Sequence, residues 1–117
     1  MADADATIRA FYAALDEHRY DDLADLLVPG FTHYRPDRTF EGRDAFVSFM
    51  REDRPMTDTT HEIERVFTNG NGAAVQGQLL DSHGESLFRF ADIHTVTDGR
   101  IESVRTYTQG HPERVES

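Results

Sequence analysis

Asp92 and His94 stand two residues apart in the run Phe90-Ala91-Asp92-Ile93-His94-Thr95-Val96, where apolar and polar residues alternate. Alternation with period two puts both side chains on one strand face, with Phe88, Phe90 and Val96. A carboxylate on so apolar a face is either paired or useful. If it is buried without a cation, its pKa is expected to rise, which suits acid–base work. If it is paired, the partner is an arginine such as Arg105 or Arg35. A second couple, His33 and Arg35, shares a face with Phe31. Imidazole titrates near neutrality, so His33 is a candidate general base. Arg35 can hold an anionic group or an enolate oxygen. Its structural alternative is a corner in which it binds Asp37 or Asp92. His61 falls in line with Ile63, Arg65 and Phe67, a pattern more typical of a rim or interface residue. His18, His83 and His111 sit at a helix end, a turn and the tail, and need no role.

His33, His61, Asp92 and His94 could together ligate a metal, but no compact ligand spacing supports it, and no metal is expected. Glycine-rich phosphate loops, nucleophile elbows and dinucleotide fingerprints are absent, so no cofactor is expected either. Asp92 and His33 are therefore the candidate proton-transfer groups. Tyr12, Arg35, Phe49, Phe90, His94 and Tyr107 are the candidate ligand-binding groups. Most aromatic residues belong to the core, and those left at a cavity mouth suit a small, largely hydrophobic molecule.

These residues need elements to position them. Ile8, Phe11, Tyr12 and Leu15 recur at spacings of three and four, which predicts a helix over 6–18 with Asp5 as its N-cap. A short second helix carries Leu23, Leu26 and Leu27 and ends at Pro29-Gly30. Phe31–Tyr34 reads as a short strand, with a second near 39–41. Gly42 precedes a third helix, whose apolar stripe is Phe46, Phe49 and Met50 and which Pro55 closes. Turn signals at Asn69-Gly70-Asn71-Gly72, Asp81-Ser82-His83-Gly84 and Asp98-Gly99 then cut the rest into four strands near 59–68, 73–81, 85–97 and 100–109. Strands joined by such short turns pair antiparallel. Helices gathered ahead of one antiparallel sheet make an α+β domain, with the helices covering one face.

The 117 residues suffice for one domain, here 6–109, with 1–5 and 110–117 expected to be flexible termini. Hydrophobic residues are only 38%, and eight Phe and four Tyr make up the burial. No apolar run is long enough to span a membrane. The acidic start lacks the basic segment of a signal peptide, so a cytoplasmic location is expected. With no cysteine there is no disulfide or thiolate site. The net charge is −10, from 22 acidic and 12 basic residues, every basic one an arginine. That charge argues against nucleic acid or an anionic membrane as a partner. It also fits a high-salt, halophilic setting, where screening relieves self-repulsion.

Several local patterns resemble the nuclear transport factor 2-like superfamily, in its SnoaL-like and ketosteroid-isomerase-like branch. Ile8-Arg9-Ala10-Phe11-Tyr12-Ala13-Ala14-Leu15 resembles that family's first helix, and Tyr20-Asp21-Asp22-Leu23-Ala24-Asp25-Leu26-Leu27 its second. Phe31-Thr32-His33-Tyr34-Arg35-Pro36, followed by Phe40-Glu41-Gly42-Arg43-Asp44-Ala45-Phe46, resembles the strand and the glycine that opens the third helix. Asp98-Gly99-Arg100-Ile101 resembles the last hairpin. The resemblance implies a cystatin-like cone: three N-terminal helices packed on a curved antiparallel sheet, with a pocket at the open end. It also implies a homodimer through the outer sheet face. Steroid isomerases of this branch use a carboxylate base after the first strand, a tyrosine on the first helix and a protonated Asp on a late strand. Alignment on Ala13-Ala14-Leu15 puts Phe11 at the tyrosine, Arg35 at the base and Asp92 at the late Asp. Arginine stays charged and is no base near neutral pH, so steroid isomerisation is disfavoured. Tyr12 lies one residue away from the tyrosine position, about 100° around the helix. The expectation is a binder of a small hydrophobic organic molecule, with cofactor-independent isomerase- or cyclase-type proton transfer. The alternative is a non-catalytic ligand-binding or dimeric scaffold module.

Overall fold

The computed structural model describes residues 4–110; the tail with His111 lies outside the described residues. Helix α1 (Ala4–Asp16) buries Ile8, Phe11, Tyr12 and Leu15 on one stripe, as their spacing predicts. It starts a residue before Asp5, so Asp5 lies in the first turn instead of capping it, and bonds Arg9 four residues on at 2.6 Å. Helix α2 (Tyr20–Asp25) is shorter than the leucine spacing predicts. Leu27 already opens strand β1 (Leu27–Tyr34), and Pro29-Gly30 lies inside that strand. Proline has no N–H for the ladder, and the β1 register breaks there, between Leu27 and Thr32. The proline therefore interrupts a strand rather than stopping a helix.

Strand β2 (Thr39–Glu41) pairs antiparallel with β1, and Gly42, at φ 98°, turns the chain into helix α3 (Arg43–Ser48). A π-helical turn over Phe49–Asp53 extends α3 as far as the segment before Pro55. Strands β3 (Thr60–Asn69), β4 (Gly72–Leu80), β5 (Ser86–Thr97) and β6 (Arg100–Gly110) form the antiparallel meander. Asp98 and Gly99 both have positive φ, as a tight hairpin turn requires.

The sheet order is β2-β1-β6-β5-β4-β3, and the pairing of β1 with β6 is parallel. The first and last strands thus meet in the middle of a curved sheet that does not close on itself. The helices cover its inner face, where Phe31, Phe46, Leu79, Ile101 and Val104 join the α1 stripe in one core. Two irregularities set which side chains look inward. Ile63 pairs with Gly77 but Arg65 pairs with Gln76, so Glu64 is an extra residue in β3. Thr95 pairs with Ser103 but Val96 pairs with Ile101, so Glu102 is extra in β6. Each such bulge reverses the inside–outside alternation beyond it.

Candidate active site

Strand β5 fixes the centre of the site. Phe88, Phe90, Asp92, His94 and Val96 are all buried, as their alternation predicts. The bulge at Glu102 then turns Thr106, not Arg105, to the inner face, directly across from Asp92. Strand β1 supplies Phe31 and His33 to the same side, Arg35 follows just past its end, and α1 brings Tyr12 to them. Phe11, Tyr12, Leu15, His33, Arg35, Phe46, His61, Phe88, Phe90, Asp92, Thr106 and the corner Pro36-Asp37 surround one cavity of about 30 Å³, or about 500 Å³ with its open mouth. The closed part holds about one water molecule.

A hydrogen-bond chain crosses this cavity wall. The Tyr12 hydroxyl donates to Asp92 Oδ2 at 2.5 Å and lies 2.8 Å from His94 Nε2. The Thr106 hydroxyl donates to Asp92 Oδ1 at 2.6 Å and lies 2.8 Å from His33 Nε2. Each hydroxyl has only one proton. With both given to Asp92, donor counting assigns the Nε2–H tautomer to His33 and His94. The Nδ1 atoms of both imidazoles are buried and have no hydrogen-bond partner among the described residues.

The electrostatics agree with this assignment. Burial, then the Arg35, His94 and His61 charges, hold His33 well below the ordinary imidazole pKa. Burial lowers His94 to about 4, against the opposing pull of Asp92. Both rings are neutral at pH 7. Burial raises the Tyr12 phenol well above its usual value, and the Asp92 charge and hydrogen bond raise it further. Arg35 is almost wholly enclosed, with Nε 3.5 Å from Asp37. It stays charged at the cavity mouth.

Most of the sequence candidates meet here, but not all. Asp92, His33, Tyr12, Arg35 and Phe90 line the cavity. His94 stands behind Tyr12, sealed from solvent. Phe49 packs on Phe40, ring centroids 4.9 Å apart, and the Arg38 guanidinium lies 4.9 Å from the one and 5.6 Å from the other. Tyr107 is turned to the outer face and is 56% exposed, because the Glu102 bulge reverses the alternation between Ile101 and the strand's end. Asp92 is held by two hydroxyls, and Arg105 stacks on Tyr34 at 4.1 Å.

Thr106 is missed in the sequence, and His61 reads there as a rim or interface residue. Thr106 was hidden by the same bulge. His61 is no rim residue: its ring packs against both Tyr12 and Phe90, and its Nδ1 lies 2.6 Å from Asp16 Oδ1. A usable signal was present, since Tyr12 and Asp16 are four residues apart on α1 and so share a helix face. Among the described residues no group of three or more His, Asp or Glu is arranged to hold a metal ion.

The curved sheet, the helical cover and the largely apolar cavity between them define an α+β cone of the nuclear transport factor 2-like kind. The chain belongs to the SnoaL-like domain family, whose model matches residues 8–104. Among solved structures, a protein of unknown function from Cytophaga hutchinsonii, described as NTF2-like, superposes with a TM-score of 0.81 at 17% identity, covering 97% of this chain and 95% of its own. A provisionally named ketosteroid isomerase from Kribbella flavida gives 0.77 at 21% identity, covering 96% and 87%. A provisionally named polyketide cyclase from Sinorhizobium meliloti gives 0.74 at 15% identity, covering 87% and 94%. At these identities the likeness shows a common fold. No curated protein matches the sequence.

Proposed function

We propose that this protein moves a proton on a small, largely apolar carbonyl compound without a cofactor, as isomerase- and cyclase-type enzymes do. The observation that carries the reading is the hydrogen-bond chain from His33 through Thr106 and Asp92 to Tyr12. It presents a neutral imidazole in an apolar cavity at the pH where a base is wanted. In this reading His33 Nδ1, buried while the cavity is closed, takes a proton from the carbon beside the carbonyl once the substrate has entered. The C–H electron pair becomes the enolate C=C bond, the C=O π pair moves onto oxygen, and the enclosed Arg35 guanidinium offsets that charge. Asp92 acts through Thr106, steadying the imidazolium formed on His33. Where the compound carries a double bond one carbon further out, the enolate extends over it, and return of the proton to its far carbon completes an isomerisation.

A ring-sized substrate needs more room than the closed cavity offers, so entry requires displacement at the Arg35-Pro36-Asp37 corner. The same reading pairs the chain with a second copy through the outer sheet face. The rival, a binding module without turnover, draws support from the closed cavity and from the fact that both Asp92 oxygens are already occupied. Deuterium uptake next to the carbonyl of small cyclic ketones in D₂O, followed by NMR, separates the two. The enzyme reading expects catalysed exchange that falls about 100-fold or more in His33→Gln and Asp92→Asn, with circular dichroism unchanged. Saturable binding with no exchange above buffer would replace it with the binding module.

A further inference from the structure

Tyr12 separates two polar systems, and the chain of His33 and Asp92 is only one of them. On its other side lies the couple Asp16–His61. Asp16 ends α1 and takes two hydrogen bonds from one residue: the His61 backbone N–H at 2.9 Å and, at 2.6 Å, Nδ1 of its ring. An ionised carboxylate only accepts, so Nδ1 carries a proton, and in the neutral ring Nε2 is the nitrogen with the free lone pair. Nε2 takes part in no hydrogen bond among the described residues. The ring lies 5.2 Å from Tyr12 and 5.8 Å from Phe90, both cavity walls, and His61 lines the cavity itself.

A histidine fixed at two points by one carboxylate is held in both tautomer and orientation. Its partner also offsets the charge gained when Nε2 takes a proton. His33 and Arg35 line the same cavity.

We infer that His61 is a second proton-transfer base of this cavity, with Asp16 as its positioning residue, acting on the same class of carbon acid. The inference rests on the proton-transfer reading above. The step is balanced: the substrate C–H bond breaks, an N–H bond forms at His61 Nε2, and the electron pair stays on the substrate as an enolate.

The probe is 5-nitrobenzisoxazole, whose ring opens to a cyanophenolate once a base removes its single C–H proton, with cleavage of the N–O bond. Wild-type protein should open it faster than imidazole at equal concentration. His61→Asn keeps a side-chain N–H for Asp16 but lacks Nε2, and should lower kcat about 100-fold. Asp16→Asn should lower kcat about tenfold with KM unchanged, a split that a purely structural role would not produce. Side-chain ¹⁵N spectra of the wild-type protein give an answer independent of any variant: Nδ1 protonated and Nε2 bare for His61. The reverse tautomer overturns the inference. If His61→Asn runs at the wild-type rate while His33→Gln is slow, the inference falls and the preceding reading stands. If wild-type protein is no faster than imidazole, both fall.

Discussion

Tyr12 is the residue on which the site turns, and its neighbours make a pH prediction. His94, behind the phenol, is neutral when folded and takes a proton near its ordinary pKa of about 6.5 once exposed. His33 behaves in the same direction. From there down to about 4, the folded pKa of His94, the unfolded chain therefore binds more protons than the folded one. Stability falls as the pH drops through that window and levels off below it. His94 alone accounts for about 2 kcal/mol between pH 6.5 and 5, before most carboxylates titrate. Urea midpoints at pH 7 and pH 5 measure the effect, and His94→Gln should flatten the dependence. A midpoint that does not move in the wild-type protein would mean that these imidazoles are not buried neutral.

At the scale of elements, the part of the fold that was legible is the part with unbroken periodicity. The α1 stripe and the inward row Phe88 to Val96 fall as their spacing demands. What could not be read is where periodicity changes by one residue. Neither Glu64 nor Glu102 differs in type from any solvent-facing glutamate, yet each inserts a bulge that reverses a strand's faces. Those two insertions misplaced His61, Thr106 and Tyr107. The parallel β1–β6 pairing was illegible for a different reason, since partners so far apart in the chain carry no local mark. Beside the first bulge, Gly77 records how tightly β3 and β4 close. A Cβ there would fall well inside contact distance of the Glu62 carbonyl oxygen and 3.1 Å from the Phe90 ring. Gly77→Ala should cost about 1–3 kcal/mol as the backbone shifts. It should also disturb the cavity through Phe90, seen as altered aromatic and His61 signals by NMR. Unchanged stability would show that the two strands part more easily than this contact implies.

On the scale of the whole molecule, the outer sheet face and the charge make opposing demands. Phe67, Ile93 and Tyr107 are 58%, 43% and 56% exposed, and Phe67–Ala74–Ile93–Arg105–Tyr34 forms one cross-strand row. A face of this kind suits a second copy, but each copy brings a charge of −10. Screening should therefore favour both folding and pairing. Sedimentation and melting measured together at low and molar salt should show more dimer and a higher Tm as salt rises. Ile93→Glu should leave a folded monomer at any salt. A wild-type chain that stays monomeric, with a Tm indifferent to salt, would refute both the pairing and the halophilic reading. No helix among the described residues is long and apolar enough to cross a membrane. The central place of β6, between β1 and β5, has one more result. Thr106 on β6 faces Asp92 on β5, while His33 comes from β1 on the other flank. A fragment cut before β6 would therefore lose both the strand that joins the two flanks and the hydroxyl that links His33 to Asp92.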